Sequence, residues 1–136
     1  AYNKGEGWMG YYWGPTAILG KYDMTKLDEG VDHNAETWIS EINDLEVAAP
    51  GKNRYPASTV ETYVGTDMLD NFVVMNYLEK RSFPNTLLSQ MLAWKDGEQA
   101  EASEAAEYFL LNNEDVWKNW TSQDARLAIK EELGMM

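Results

Sequence analysis

The fold class that the sequence predicts is decided by one aromatic stretch, residues 7–15, which reads Gly-Trp-Met-Gly-Tyr-Tyr-Trp-Gly-Pro. Aromatic residues favour extended backbone, so Gly7–Trp13 is predicted to form a β-strand. Gly14 and Pro15 end that strand, and Pro15 is suited to the first position of a helix. The stretch therefore predicts a strand, a turn and a short helix over Thr16–Gly20, which is the beginning of an α/β fold.

Further elements of both kinds are predicted up to residue 65. Lys21–Leu27 shows a short alternation of apolar residues, and Ser58–Val64 is rich in β-branched residues, so both are predicted strands. Ala35–Leu45 carries apolar residues at helical spacing and predicts a short amphipathic helix. Residues 7–65 are accordingly the strand-and-helix portion of the predicted α/β fold.

From Asp67 onward the pattern is that of several short helices. The predicted helices run from Asp67 to Lys80, Asn85 to Lys95, Ser103 to Leu111, Glu114 to Trp120 and Thr121 to Gly134. Pro84 separates the first two, and Gly97 is predicted to close the second. Residues 67–134 form a helical portion, and the whole chain, residues 1–136, is predicted to be a single domain or a fragment.

Composition excludes several classes of function. The chain has 136 residues, 23 of them acidic and 11 basic, for a net charge of -12. Such a surface repels nucleic acid and anionic membranes, so no nucleic-acid partner is predicted. A hydrophobic content of 44% argues against disorder of the whole chain. The absence of cysteine excludes a disulfide scaffold, a thiolate metal site and a cysteine nucleophile.

Residues able to carry catalysis or hold a metal are scarce. The single histidine, His33, lies in an acidic loop with Asp28, Asp32 and Glu36, and their spacing matches neither a calcium loop nor a zinc site. No Gly-x-Ser-x-Gly elbow and no phosphate-binding glycine loop is present. A solvated loop is therefore favoured over a metal site, and no enzyme activity, metal or cofactor is predicted.

The aromatic residues around Trp13 are the best candidates for a binding site. In an extended chain Tyr11 and Trp13 lie on one face and Tyr12 on the other. Trp13 is predicted to stand at the mouth of a strand, where α/β folds bind ligands, whereas Trp8 is predicted to pack. An aromatic wall there suits a flat apolar molecule, a sugar face or a quaternary ammonium group, the last through cation–π attraction.

Four stretches, taken in order, resemble the periplasmic glycine betaine and proline betaine-binding proteins of ABC importers. Tyr11–Pro15 resembles the segment that supplies a tryptophan of the ligand cage, and Lys21–Leu27 resembles a Tyr-Asp-Leu stretch that follows it. Tyr55–Val60 is similar to an aromatic-Pro-x-Ser-Thr stretch, and Gln99–Trp120 resembles the closing helices. The resemblance covers about Gly7 to Trp120.

This resemblance implies a type II periplasmic-binding-protein fold, of which the chain is the C-terminal part, with a missing N-terminal portion that carries the carboxylate donors and other cage residues. It implies that Trp13 is one wall of an aromatic cage, with Tyr12 and Tyr11 contributing. The implied partners are a small quaternary amine and the permease and ATPase subunits of the importer, and the implied location is periplasmic or extracytoplasmic and membrane-associated. Many members carry a further tryptophan near the place of Ala17, so the ligand stays open among glycine betaine, choline, carnitine and proline betaine.

Three other hypotheses rank below this one. In the second-ranked hypothesis the aromatics are core and the chain is an acidic helical interaction module. Its docking surface for a basic partner is one stripe formed by Glu98, Glu101, Glu104 and Glu107. Carbohydrate binding on an aromatic platform ranks third, and an enzyme ranks fourth. A lone lobe exposes apolar surface, so self-association of the chain is also expected.

Overall fold

Helices are the regular structure of residues 4–136, which are the residues that the computed structural model describes. In chain order they are α1 (Ala17–Lys21), α2 (Ala35–Thr37), a π-helical turn (Trp38–Ile42), a 3-10 turn (Thr66–Met68), α3 (Phe72–Lys80), α4 (Asn85–Glu98), α5 (Ala102–Asn112), α6 (Glu114–Trp117) and α7 (Gln123–Glu132). The chain divides into two units, one made of residues up to Met24 with Val64–Met136, the other of Thr25–Tyr63. None of the helices within residues 4–136 has the length and apolar character needed to cross a bilayer.

The predicted strands Gly7–Trp13, Lys21–Leu27 and Ser58–Val64 are absent, since no strand forms anywhere in residues 4–136. A strand is stable only when a neighbouring strand pairs with its backbone and a second layer covers one of its faces. Neither condition is met at residues 58–64, where Val60 is 97% exposed and Tyr63 is 87% exposed. The predicted strands are therefore not formed in the residues that the structure describes and stay a prediction, whereas the predicted helical character after residue 67 is confirmed.

α3 and α7 begin at Phe72 and Gln123, two or more residues after their predicted starts. Asn71 caps α3 and Ser122 caps α7, and each side-chain oxygen accepts a hydrogen bond of 3.2 Å from the backbone N–H three residues on. Asp67 lies instead in the 3-10 turn, and Thr121 precedes the cap. A capping side chain satisfies a helix N–H that has no partner within the helix, so the residue in reach of that N–H sets the boundary.

The C-terminus of α4 also differs from the prediction. The helix continues through Gly97 and ends at Glu98, because Gln99 adopts the left-handed conformation at φ 54° and terminates it. The backbone N–H of Ala100 then donates to the Lys95 carbonyl at 3.0 Å. This hydrogen bond closes the last turn in the manner of a left-handed C-cap.

This end of α4 breaks the predicted acidic stripe. Glu98 belongs to α4, whereas Glu104 and Glu107 belong to α5 and Glu101 caps it. Glu101 and Glu104 form a capping box in which the Glu101 N–H donates to the Glu104 carboxylate at 2.7 Å. The continuous four-glutamate docking surface is therefore not formed, and two of its members stabilise the start of α5.

The core of the larger unit is built on two tryptophans from the end of the chain. Trp117 is 1% exposed, and its indole N–H donates to the Leu110 carbonyl at 2.8 Å. Trp120 stacks on Phe109 with ring centroids 5.8 Å apart. Partly buried residues packed around them are Tyr77, Leu87, Met91, Leu110, Val116 and Ile129. The prediction that Trp117 and Trp120 serve packing is confirmed.

α1 packs against the middle of α4 at unusually short range. The backbone of Gly20 lies so near that of Ser89 that a Cβ at position 20 would overlap the Ser89 carbonyl oxygen and stand 2.9 Å from the Ala93 Cβ. The Ser89 hydroxyl, which is buried, accepts a hydrogen bond of 3.2 Å from the Thr16 N–H. Glycine at position 20 is therefore a condition for this helix pair.

The smaller unit is organised around Trp38. The Trp38 ring meets Tyr55 edge-on at 5.1 Å and tilts against His33 at 5.6 Å. Two hydrogen bonds join Asn34 to Asn53. The Asn34 backbone N–H donates to the Asn53 side-chain oxygen at 2.9 Å, and the Asn53 side-chain amide donates to the Asn34 carbonyl at 2.7 Å. These contacts agree with the prediction that Trp38 serves packing.

Candidate ligand-binding site

Tyr11 and Trp13 form an exposed aromatic corner just before α1. Their ring centroids are 6.2 Å apart and the planes make an angle of 66°, which is an edge-to-face pair. Trp13 is 70% exposed and Tyr11 is 58% exposed. The structure thus brings together two of the three residues predicted for the site, and leaves their faces open to solvent.

The other two aromatic residues of this segment are placed differently. Tyr12 is exposed and stays out of the Tyr11–Trp13 ring contact. The Trp8 ring lies over the backbone of Gly10, where a Cβ would come within 2.7 Å of it. Trp8 is half exposed, so the prediction that it packs in a core is wrong, because no layer of the described structure covers this extended segment.

The backbone that carries Trp13 is held by two helices. Gly14 lies next to Leu19 of α1 and to Asn85 at the start of α4. Thr16 caps α1, and its backbone N–H donates to the Ser89 hydroxyl. The prediction that Pro15 is the first helical residue is wrong, because Pro15 precedes the cap, Thr16, and the helix begins at Ala17. Trp13 therefore lies shortly before a helix and not at the end of a strand, and the chain three residues later is held by the hydrogen bond from Thr16 to Ser89.

Aromatic rings arranged as in this corner are able to attract an organic cation. Edge-to-face rings present two π faces at an angle, and such faces attract an organic cation by about 0.5–2 kcal/mol per ring. The net charge of -12 raises the local concentration of cations around the chain. Quaternary ammonium groups gain most from such a surface, because they lack N–H donors and have no hydrogen bonds to water to give up.

The acidic loop of the smaller unit converges on Arg54. The guanidinium lies 3.1 Å from Asp28, 3.4 Å from Glu29 and 3.3 Å from Asp32, and the Arg54 carbonyl lies 2.8 Å from His33 Nδ1. The role of Arg54 was not predicted from the sequence, although an arginine after a Pro-Gly turn is an available partner for an acidic loop. The loop is solvated, as predicted, since the Asp28 and Asp32 side chains are largely exposed, and it is also ion-paired.

These contacts shift the pKa values of Asp28 and Arg54. A hydrogen bond from the Gly30 N–H, followed by the charge of Arg54, lowers the pKa of Asp28. The neighbouring carboxylates, Asp28 first, raise the pKa of Arg54. Across the described residues, 4–136, no group of three or more acidic, histidine or cysteine side chains is arranged to hold a metal ion.

The lowered pKa of Asp28 predicts a loss of loop stability in acid. The contribution is complete above the unfolded pKa, near pH 4, and disappears as the pH falls through the lower folded pKa. NMR titration of the Asp28 carboxyl is expected to show this low pKa, and in Arg54→Gln the pKa is expected to return part of the way. Lys52→Gln, which removes a charge of the same sign two residues away, is the control. Equal Asp28 titrations in all three proteins would contradict the ion-pair account.

Comparison with family models assigns most of the chain. Residues 1–112 match the model described as the substrate-binding domain of an ABC-type glycine betaine transport system. The match includes the Tyr11–Trp13 corner and ends before Glu114–Trp120, the last stretch of the resemblance noted in the sequence. Comparisons with curated proteins and with solved structures gave no match.

Proposed function

The chain belongs to the family of substrate-binding domains of ABC-type glycine betaine transport systems, and we propose that it binds a quaternary ammonium ligand through Trp13, Tyr11 and Tyr12. Members of this family are extracytoplasmic transport components and not enzymes. The family implies a type II periplasmic-binding fold and ABC transporter subunits as partners. The proposal adds the residues of the site and the nature of the contact.

The observation that carries this proposal is the exposed edge-to-face pair of Tyr11 and Trp13. Exposure alone does not distinguish these rings, since Tyr63 and Phe72 are 87% and 82% exposed. The edge-to-face contact, on a segment followed by the Thr16–Ser89 hydrogen bond, is what supports a binding role. Glycine betaine, choline, carnitine and proline betaine all present the cationic group that such a pair attracts.

We also propose that the 136 residues are one part of a two-lobed periplasmic protein of α/β architecture. The family match supports this, as do the extended segments 7–13 and 58–64, which carry exposed apolar side chains and strand-favouring residues. In the two-lobed protein these segments are strands, and the other lobe supplies the remaining cage residues and the donors for a carboxylate. The same exposed side chains favour self-association of the chain on its own.

Trp13→Ala tests the cage. Titration calorimetry of glycine betaine, choline and proline betaine is expected to show affinity lowered by about 2- to 30-fold, which corresponds to the loss of one cation–π contact. Trp8→Ala is the matched control, because Trp8 is an exposed tryptophan of the same segment whose ring lies on Gly10. Equal affinity of Trp13→Ala and the unchanged protein would remove Trp13 from the site.

The titration is made with both the 136-residue chain and the two-lobed protein that the proposal implies. Tight binding by the longer protein and weak binding by the chain is the expected result. Binding to neither would contradict the proposed ligand class. The affinity for glycine betaine and proline betaine, which are zwitterions, is expected to change little with salt, because their cation–π contact is short-ranged. Docking of a basic partner on an acidic surface would weaken steeply.

A further inference from the structure

The last helix, α7, lies beyond the part of the chain that the family model matches. That match ends at residue 112, whereas α7 spans Gln123–Glu132. None of its ten residues, all of which the structure describes, is buried. A helix shorter than about 12–15 residues is marginal on its own in water, so α7 depends on its contacts with the rest of the larger unit.

The apolar contact of α7 with the core is small. Ile129 is partly buried and packs against Phe109, Trp117 and Trp120, which form the core cluster. Leu127, the other large apolar residue of α7, is 49% exposed. An apolar side chain stabilises in proportion to the area that it removes from water, so Ile129 alone holds α7 weakly.

Charged side chains supply further attachments, which run from α7 to α6. The Lys130 ammonium pairs with the carboxylate of Glu114, the first residue of α6. The Arg126 guanidinium donates to the carbonyl of Lys118, which caps the end of α6, at 2.6 Å. Arg126 and Lys130 are about one turn apart on α7, and their partners are one turn apart on α6 in the reverse order. The two helices therefore lie antiparallel.

The two attachments differ in what they contribute. The Lys130 and Glu114 side chains are 26% and 35% exposed, so water screens their attraction less than that of a fully exposed pair. The Arg126 Nε atom is buried and has no hydrogen-bond partner among the described residues. A buried N–H without an acceptor costs free energy, which offsets part of the gain from the hydrogen bond to Lys118. The ion pair is therefore the main polar contact that holds α7.

We propose that α7 is a strap over the core cluster, held closed by the Lys130–Glu114 ion pair, and that it opens while α4 and α5 stay folded. Elements with few buried apolar contacts open at a lower free energy than the whole domain. α6 stays in place in the open form, because it carries Trp117, which is 1% exposed. Opening uncovers the apolar surface under Ile129. The inference goes beyond the proposed function, since the strap contains none of the proposed ligand-binding residues.

Native-state hydrogen exchange of the 136-residue chain, followed for single amides by NMR at pH 7, tests whether α7 opens separately. The backbone N–H groups of Leu127 and Lys130 lie inside α7, and those of Phe109 and Leu110 lie inside α5. Protection factors of the α7 pair are expected to be at least about tenfold lower than those of the α5 pair. Equal protection of the two helices would overturn the proposal, because α7 would then open only with the whole fold.

Two substitutions in the first turn of α6 test the role of the ion pair. Glu114→Gln breaks the pair with Lys130, whereas Asp115→Asn removes the same charge one residue away and leaves the pair intact. Glu114→Gln is expected to lower protection in α7 by about three- to fivefold and to leave α5 unchanged. Asp115→Asn is expected to change protection in α7 by less than about twofold. Equal effects of the two substitutions on α7, or an equal loss of protection in α5 after Glu114→Gln, would contradict the proposal.

Discussion

Gly20→Ala is expected to destabilise the chain by about 1–3 kcal/mol, because a methyl group there has no space between α1 and α4. The overlap falls on the backbone oxygen of Ser89, which cannot rotate away as a side chain does. Relief requires α1 to move off α4, and this movement also stretches the hydrogen bond from the Thr16 N–H to Ser89. Urea unfolding followed by circular dichroism measures the loss.

Gly97→Ala is the matched control for this experiment. Gly97 is also a helical glycine, and an added Cβ there meets no atom within 4 Å. This substitution is expected to stabilise the chain by about 0.5–1 kcal/mol, because alanine loses less backbone entropy than glycine in a helix. The two glycine-to-alanine changes therefore have opposite signs. A stabilising Gly20→Ala would show that α1 does not approach α4 as closely as the structure has it.

Trp117→Ala is expected to cost about 3–5 kcal/mol, a large part of the stability of a domain of this size. The Trp117 ring is 1% exposed and lies at the centre of the core with Phe109 and Trp120. Its removal leaves a cavity and also leaves the Leu110 carbonyl without its indole donor. The free energy of unfolding from urea denaturation measures the effect.

Trp13→Ala is the control for Trp117→Ala. Its stability also shows whether the ligand-binding test is affected by unfolding. The same substitution at this exposed position is expected to change the free energy of unfolding by no more than about 0.5 kcal/mol. A loss of ligand affinity in Trp13→Ala then reports on binding and not on folding. Similar destabilisation by the two substitutions would mean that the core is not centred on Trp117.

The helices were predictable because their signals are local. Pro84 separates α3 from α4, and the spacing of apolar residues in α4 and α5 repeats with the helical period. Errors were confined to the ends. At these ends one side chain, such as Asn71 for α3 or Ser122 for α7, reaches the first free N–H, and several neighbouring residues have the required chemistry.

The strands and the ion pairs depend on contacts between residues far apart in sequence. β-Propensity marks Ser58–Val64 as suited to a sheet, but it does not provide a neighbouring strand, and the described chain holds none. The partners of Arg54 lie 22 to 26 residues away, and only folding of the smaller unit brings Asp28 and Asp32 to it. Nothing in the sequence alone indicates that spacing.

Clustering of aromatics singled out Trp13, Tyr12 and Tyr11 as a candidate site, and this assignment stays a prediction. The ring contact of Tyr11 with Trp13 agrees with their predicted placement on one face of the chain. The position of Trp13 before a helix depends on the close contact of Gly20 with Ser89, which involves two small residues with no distinctive pattern.

That contact has a consequence for how the length of the chain can vary. Ser89 contacts α1 at two points: its hydroxyl accepts a hydrogen bond from the Thr16 N–H, and its carbonyl lies against Gly20. An insertion or deletion between Thr16 and Gly20 would break one attachment while keeping the other. It would also rotate the aromatic segment relative to α4. Length changes among relatives are therefore expected to be confined to the segment before Tyr11 and to the loops of Thr25–Tyr63, while the interval from Trp13 to Gly20 stays constant.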